Sequence, residues 1–213
     1  MADSTSAAFA PSSRSGSLIW SVVAISICLL FLMVNLCILG RTGIEPSLLY
    51  RDANAIAGQP FYYGILEGLT ATLLIASGAI MIFSAFSDHA PRSPSFRFCL
   101  VFGLLTFVMG LDDLLMLHES AWFFHWRLTE THVYLVYAAA LVFSLTKYRE
   151  AVRTTPFPLL VIALVALAVA GVEDMLALGH IPEDYVEIIG FSFWFCFAVA
   201  SCFALKHVEL SPD

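Results

Sequence analysis

Long apolar runs separated by short polar breaks extend over most of the chain. This pattern predicts helices, each close to the length of about 20 residues that a bilayer core requires. Six are expected, at residues 17–39, 61–86, 96–119, 130–147, 157–178 and 183–206. The breaks between them are rich in Pro, Gly and charged residues, which end apolar helices. The pattern therefore indicates an all-α fold, a polytopic membrane helix bundle.

The composition agrees with a single membrane domain. Hydrophobic residues make up 60% of the chain and charged residues only 13%, whereas a soluble domain carries about 25% charged residues. Residues 1–16 are expected to be a disordered cytoplasmic tail and residues 207–213 a second one, with the six-helix domain at 17–206. The net charge of −7 argues against nucleic acid as a partner. The five cysteines lie in apolar runs and show neither a disulfide nor a zinc-binding spacing.

Basic residues are distributed unequally over the two sides of the predicted bundle. With the N-terminus inside, seven Lys and Arg residues lie on the inner side and three on the outer side. Lys and Arg are enriched in cytoplasmic loops, so both termini are predicted to face the cytoplasm. Membrane lipids are the expected surroundings, and pairing with a second copy or with a membrane-complex partner stays open.

The acids show the opposite asymmetry. Most of the seventeen lie on the predicted outer side or in the outer half of a span. Capping is an alternative explanation for Glu130, Glu183 and Asp184, which stand at helix starts, where the helix dipole favours negative charge. It does not explain the acids in the last turns of the third and fifth helices. An acid at membrane depth is costly and usually faces the bundle interior, so a functional role is the first hypothesis for it.

Glu67 shares one helix face with a stripe of small residues. Small residues let helices approach closely in a membrane, so Glu67 is expected to point at a neighbouring helix. The stripe consists of Gly64, Ala71 and Gly78.

These acids and the nearby histidines predict a cation site. Carboxylates clustered at low dielectric must bind protons or a cation, and carboxylates with imidazoles suit a divalent metal such as Zn, Mn or Fe. The candidate ligands are Glu67, Asp112, Asp113, His118, Glu119, Glu130, His132, Glu173, Asp174 and Glu187. Glu119 and Glu130 are also the candidates for a catalytic acid or base, and for His132 a structural role is the alternative. No standard metal motif is present, so the prediction rests on the clustering alone.

The spacing on the third helix sets a condition for this site. Asp112 and Glu119 are seven residues apart and share a face of a continuous helix. Asp113 and His118 then point about 100° and 120° away from that face. All four side chains can meet one ion only if the helix unwinds near His118.

Two segments of the chain resemble one another. Residues 110–117 and 171–178 share the pattern G-[LV]-[DE]-D-[LM]-L-x-L, and each precedes a short predicted outer loop and an acidic helix start. We therefore expect helices three–four and five–six to be parallel repeats of one hairpin. Chance similarity between short apolar segments is the alternative.

Three functions fit these observations. The leading hypothesis is a metal-dependent enzyme, a hydrolase or an oxidoreductase, that acts on a lipid-like or apolar substrate. Acids within a membrane also serve proton- or cation-coupled transport, but the inner halves of the spans are nearly free of charge. The third hypothesis is a non-catalytic membrane subunit or assembly factor whose acids bind a basic partner.

The run Leu111–Glu119, with Glu130, Tyr137 and the later segment 183–194, resembles a group of bacterial multi-pass membrane proteins with an Asp-Asp/His-Glu helix. The resemblance covers the third to sixth helices. It implies a membrane bundle in the inner (plasma) membrane and supplies no mechanism. The architecture is also distantly similar to that of the membrane hydrolases that include alkaline ceramidases and adiponectin-type receptors. Those proteins use a Ser, an Asp and three His, and this chain lacks their late H-x-x-x-H helix.

Overall fold

The computed structural model of the chain describes residues 14–50, 53–60, 62–91, 93–118, 129–176 and 183–210, and all secondary structure in these ranges is α-helical. The helices are α1 (Arg14–Thr42), α2 (Ser47–Tyr50), α3 (Ala53–Ala57), α4 (Ile65–Asp88), α5 (Pro94–Leu114), α6 (Glu130–Lys147), α7 (Arg149–Arg153), α8 (Phe157–Leu176) and α9 (Glu183–Leu210). An observed helix lies at each of the six predicted positions, and these are α1, α4, α5, α6, α8 and α9. The all-α class is therefore confirmed.

Four helices contain segments that are long and apolar enough to cross a membrane. These segments are Ala24–Thr42, Ile65–Ser87, Pro94–Leu114 and Tyr185–Lys206, and α8 carries a shorter apolar segment, Phe157–Glu173. Such lengths and compositions are those of a membrane protein. That all six long helices cross the membrane stays a prediction.

The helix ends differ from the predicted ones where local chemistry decides them. At the start of α5, the Ser93 hydroxyl accepts a hydrogen bond from the backbone N–H of Phe96 at 3.0 Å, and Pro94 follows in the first turn. Both features favour a helix start at that point. The same helix ends at Leu114, five residues before the predicted end at residue 119.

The helices extend into both predicted tails. Helix α1 already begins at Arg14 and α9 continues to Leu210. The rest of the predicted tails, residues 1–13 and 211–213, lies outside the described residues.

The chain divides into two compact units, residues 1–63 and 64–213. In the first unit, Gly43 turns the chain after α1 with a positive φ of 64°, a conformation that glycine adopts without strain. In α3, the side-chain amide of Asn54 donates a hydrogen bond to the backbone oxygen of Tyr63, beyond the end of the helix, at 3.0 Å.

In the second unit, α4 packs along both α5 and α9, α8 packs along α9, and α6 and α7 contact α5. The core contains side chains from all six helices of this unit, and large side chains join α5 to α9 within it. The ring of Trp194 stacks on Phe102 with centroids 5.4 Å apart, and the Trp194 Nε1–H donates to the Thr106 hydroxyl at 3.3 Å. The hydrogen bond satisfies the indole N–H, which burial would otherwise leave unpaired.

Helices α4 and α5 approach each other through glycines. A Cβ added at Gly78 would lie 2.6 Å from the backbone nitrogen of Phe107, and one at Gly110 would lie 2.7 Å from that of Ile75. The sequence pattern had placed Gly78 and Ala71 on a stripe of small residues, and both are buried. Small residues are what allow such close helix packing within a membrane.

Candidate functional site

The candidate site is built around the point where α5 unwinds. After Leu114 the chain continues in turns through His118, and Met116 adopts a positive φ of 47°. The backbone N–H of Leu117 donates to the carbonyl oxygen of Asp112 at 3.0 Å, and that of Met116 donates to the carbonyl oxygen of Asp113 at 3.1 Å. These bonds turn the chain back over the last helical turn. The unwinding near His118 that the metal-site hypothesis required is therefore present.

The unwound turn places His118 on Asp112. The His118 Nδ1 lies 3.2 Å from the Asp112 Oδ2, and both side chains are buried, each with 8% of its surface exposed. The ring N–H does not point at the carboxylate within hydrogen-bond limits, so the pair is close but not aligned. Catalytic hydrogen bonds are often loose in this way before a ligand binds.

Helix α6 adds two tyrosines to this pair. The Tyr137 hydroxyl is hydrogen-bonded to the Asp112 carboxylate, and the Tyr134 ring lies 5.6 Å, centroid to centroid, from that of His118. Asp112 thus contacts groups from the end of α5 and from the second turn of α6. This Asp112–His118–Tyr137 group ties α6 to α5, which it contacts over only a limited length.

Asp113 lies on the other side of the helix end, beside α4. The Thr70 hydroxyl lies 3.4 Å from the Asp113 Oδ2 and also donates to the backbone oxygen of Glu67 at 2.7 Å. Asp113 is near enough to Glu67, His118 and Asp112 for their charges to interact. The Glu67 side chain is exposed, although the small-residue stripe predicted that it points at a neighbouring helix. It lies one turn beyond the end of the close α4–α5 contact, where no helix covers it in the described structure.

Glu173 on α8 is half-buried, and its Oε2 is fully buried without a hydrogen-bond partner in the described part of the chain. It lies beside an open apolar groove of about 360 Å³ on the exposed face of α8, lined otherwise by Val165, Ala168, Val169 and Val172. A buried polar atom without a partner costs stability. The buried Oε2 therefore lowers the stability of the fold, and buried polar groups that carry such a cost are typical of functional sites.

His132 has a structural partner. Its Nδ1 accepts a hydrogen bond from the backbone N–H of Thr129 at 3.1 Å and lies 2.7 Å from the Thr129 hydroxyl. The bond from the Thr129 backbone is one half of a capping box at the start of α6, and the Thr129 side chain facing the backbone N–H of His132 is the other half. A capping box satisfies N–H groups that the helix itself leaves unpaired. These contacts support the alternative given for His132, a structural role at the helix start.

The remaining predicted ligands are not resolved into a metal cage. Glu187 is half-buried on α9 and makes a polar interaction. Glu119 and the side chains of Glu130 and Asp174 lie outside the described residues. Among the residues that the structure does describe, no three His, Cys, Asp or Glu side chains are grouped closely enough to hold a metal ion. The metal site therefore stays a prediction.

The acidic ends of the helices of the second unit nevertheless lie together. The Thr70–Asp113 contact joins the start of α4 to the end of α5, and the Tyr137–Asp112 bond adds the start of α6. Gly190, early in α9, packs against Leu167 of α8. The contacts of Trp194 with α5 place the start of α9 at the same end. The opposite end of the unit carries the exposed basic residues Arg97, Lys147, Arg149 and Arg153.

Sequence reasoning missed two of the polar contacts. Thr70 contacts Asp113 from a neighbouring helix, and its only signal was a spacing of three residues from Glu67. At the opposite end of the unit, His89 and Cys99 are both buried, with the Nε2 of the histidine 3.8 Å from the Sγ of the cysteine. The histidine follows the end of α4, and nothing in its sequence neighbourhood distinguished it from a surface residue.

The two proposed repeats differ in their surroundings. Gly110 packs tightly against α4, whereas a Cβ added at the corresponding Gly171 would meet nothing within 4 Å. Helix α8 also packs along α9, while α5 packs mainly along α4 rather than along α6. The internal repeat stays a prediction from the sequence pattern.

A family model described as a domain of unknown function (DUF8692) matches residues 18–201. No curated protein and no solved structure matches the chain.

Proposed function

The chain belongs to the DUF8692 family, whose description assigns no activity, and from its own residues we propose that it is a metal-dependent enzyme of the membrane. The site would lie in the outer leaflet at the acidic end of the second unit. The substrate would be lipid-like or apolar, because it has to reach a site at the end of helices with apolar exteriors.

The contact between Asp112 and His118 carries this proposal. A carboxylate that accepts a hydrogen bond from the Nδ1 of a histidine fixes the orientation of the ring and increases the basicity of the opposite nitrogen. At 3.2 Å the Asp112–His118 pair is close enough for this bond to form when a metal binds. The same arrangement serves a metal ligand and a general base. Burial of both groups strengthens their electrostatic interaction because the surroundings have a low dielectric.

The roles of the individual residues follow from the contacts. His118 would act through Nε2 as a metal ligand, with Asp112 as the group that positions it and Tyr137 as a donor that holds the Asp112 carboxylate. Asp113, supported by Thr70, would supply negative charge to the same ion. Further ligands would come from Glu119, Glu130 and Asp174. A bound Zn, Mn or Fe ion would supply a Lewis acid that activates water or oxygen.

The proposal includes a topology. All six long helices would cross the inner membrane of a bacterium, with both termini in the cytoplasm. The distribution of charge supports this orientation, because exposed basic residues lie at one end of the second unit and the acids lie at the other.

Metal content tests the proposal. The protein is purified in detergent without a metal-affinity column, and its metals are measured by inductively coupled plasma mass spectrometry. We expect near-stoichiometric Zn, Mn or Fe in the wild type and none in His118→Ala. The matched control is His89→Ala, which removes a histidine of similar burial, 7% exposed against 8%, from the opposite end of the unit and should keep the metal.

Asp112→Asn provides a graded test of the same idea. The variant keeps the size of the side chain but weakens its hold on the histidine, so metal affinity should fall by about 10- to 100-fold in a chelator competition. A folded wild type without metal, or equal metal in wild type and His118→Ala, would contradict the proposal.

Glu173 favours proton-coupled transport as a second candidate function. Its buried Oε2 has no hydrogen-bond partner in the described part of the chain and lies beside an apolar groove of α8, and an acid within a membrane helix is a candidate for a proton pathway. If the folded protein contains no metal, this candidate becomes the better one. Proton uptake into proteoliposomes by wild type, with loss in Glu173→Gln, would support it.

A further inference from the structure

Four exposed cations lie at the end of the second unit opposite to the acids. Arg97 is in the first turns of α5, Lys147 ends α6, and Arg149 and Arg153 bound α7. In the ranges that the structure describes, none of the four forms an ion pair with a carboxylate. Glu150 is the one acid of α7, so the segment 147–153 carries a clear positive excess.

Packing joins the helix ends that carry these cations. The rings of Phe98 and Tyr148 lie 6.4 Å apart and join the start of α5 to the turn between α6 and α7. Arg97 precedes one ring and Arg149 follows the other, so the two arginines flank the same contact.

The short helix α7 has two faces. Ala151 and Val152 are buried in the core, while Arg149 and Arg153 are exposed. Residues four apart in a helix are neighbours on its surface. The two guanidinium groups can therefore reach one phosphate, with the planar fork that suits its oxygens.

An exposed apolar side chain lies directly beside the cations. The Lys147 Nζ lies 5.1 Å from the centre of the Phe143 ring, and Phe143 is 57% exposed one turn further into the apolar part of α6. A cation above an exposed aromatic ring, at the end of an apolar helix, matches a lipid whose headgroup is anionic and whose chains run along the helix.

We infer that this basic end, defined by Arg97, Lys147, Arg149 and Arg153, binds the phosphate of an anionic phospholipid. The exposed Phe143 favours a lipid over free phosphate, because an acyl chain can pack against the ring whereas free phosphate has no apolar part to do so. The inference stands on the opposite end of the unit from the proposed enzyme site and does not depend on it.

Lipid binding to the full-length protein in detergent tests the inference. Native mass spectrometry measures the affinity for phosphatidylglycerol and for phosphatidylcholine at equal concentration, with inorganic phosphate as a competitor. We expect a preference for phosphatidylglycerol that decreases with salt, since exposed charges are screened. The double variant Arg149→Gln/Arg153→Gln should bind it about 30-fold more weakly, the effect of two cations near an anionic headgroup.

Two further variants separate the contributions. Arg149→Lys/Arg153→Lys keeps the charge and should retain most of the preference, while Phe143→Ala should weaken binding of both lipids and keep the preference. Equal affinity for the two lipids in wild type, or an unchanged preference in the Gln variant, would overturn the inference. Displacement of the lipid by millimolar inorganic phosphate would overturn the assignment to a lipid.

Discussion

Replacing Gly78 with alanine is expected to force α4 and α5 apart. The added Cβ would lie 2.6 Å from the backbone nitrogen of Phe107, 2.7 Å from its Cα and 2.7 Å from the carbonyl oxygen of Gly103. These distances fall about 0.8 Å short of ordinary contact. All three atoms belong to the backbone of α5, so no side chain can rotate to make room.

The structure allows an estimate of the cost. Overpacking typically destabilises a core by about 1–3 kcal/mol, and the rigid backbone contacts place Gly78→Ala at about 3 kcal/mol. Alanine regains about 1 kcal/mol because it favours the helix more than glycine does. The net loss of about 2 kcal/mol corresponds to a fall in Tm of about 4–8 °C for a chain of this size.

Gly171→Ala is the matched control, because Gly171 lies in α8 with nothing within 4 Å of an added Cβ. It should leave Tm unchanged or raise it by up to about 4 °C. Thermal unfolding in detergent, followed by tryptophan fluorescence, to which the buried Trp194 contributes, measures both variants. If Gly78→Ala is as stable as Gly171→Ala, the close α4–α5 contact does not exist in the protein.

Substitutions at two other positions test backbone strain and side-chain burial near the candidate site, each by the same thermal scan. Met116→Gly should raise stability by about 1 kcal/mol, because glycine adopts a positive φ without the penalty of about 1–2 kcal/mol for other residues. Met116→Val should lower it, since β-branched residues fit that region worst, and the reverse order would contradict the unwound turn. Glu173→Leu should raise Tm by about 2–4 °C by removing an unpartnered buried oxygen. Glu173→Gln should gain less, and a loss of stability in Glu173→Leu would show that the carboxyl has a stabilising partner.

Much of the helical architecture was predictable from the pattern of apolar residues. Each of the six predicted segments overlaps a helix, because runs as uniform as those of α4 and α9 can satisfy their backbone only by forming helices in an apolar environment. The small-residue stripe on α4 also predicted a close helix contact, which is found at Gly78, and Ala71 on the same stripe is buried. The spacing could not reveal which helix it contacts, since that depends on packing between segments distant in sequence.

The candidate site was predictable only in part. The pattern Asp112–Asp113 followed by His118 identified the residues that meet, but not which pairs form. Thr70 and Tyr137 complete the contacts from two other helices, and threonine and tyrosine at those positions are equally compatible with ordinary packing. His132 was predicted as a metal ligand because it lies near clustered acids in the sequence. In the structure its side chain instead bonds to Thr129 at the start of α6.

The end of α5 explains why helical spacing failed for these residues. The sequence Leu114–His118 contains no glycine, proline or asparagine, so no local signal marks the helix end. The break persists because the interactions of Asp112 outweigh the strain at Met116: its carbonyl accepts from Leu117 and its carboxylate contacts His118 and Tyr137. Strain held in place by surrounding contacts is typical of functional sites. On a continuous helix Asp112 would share a face with Glu119. The turn instead moves His118 onto Asp112, and the proposed chemistry of the site depends on this contact.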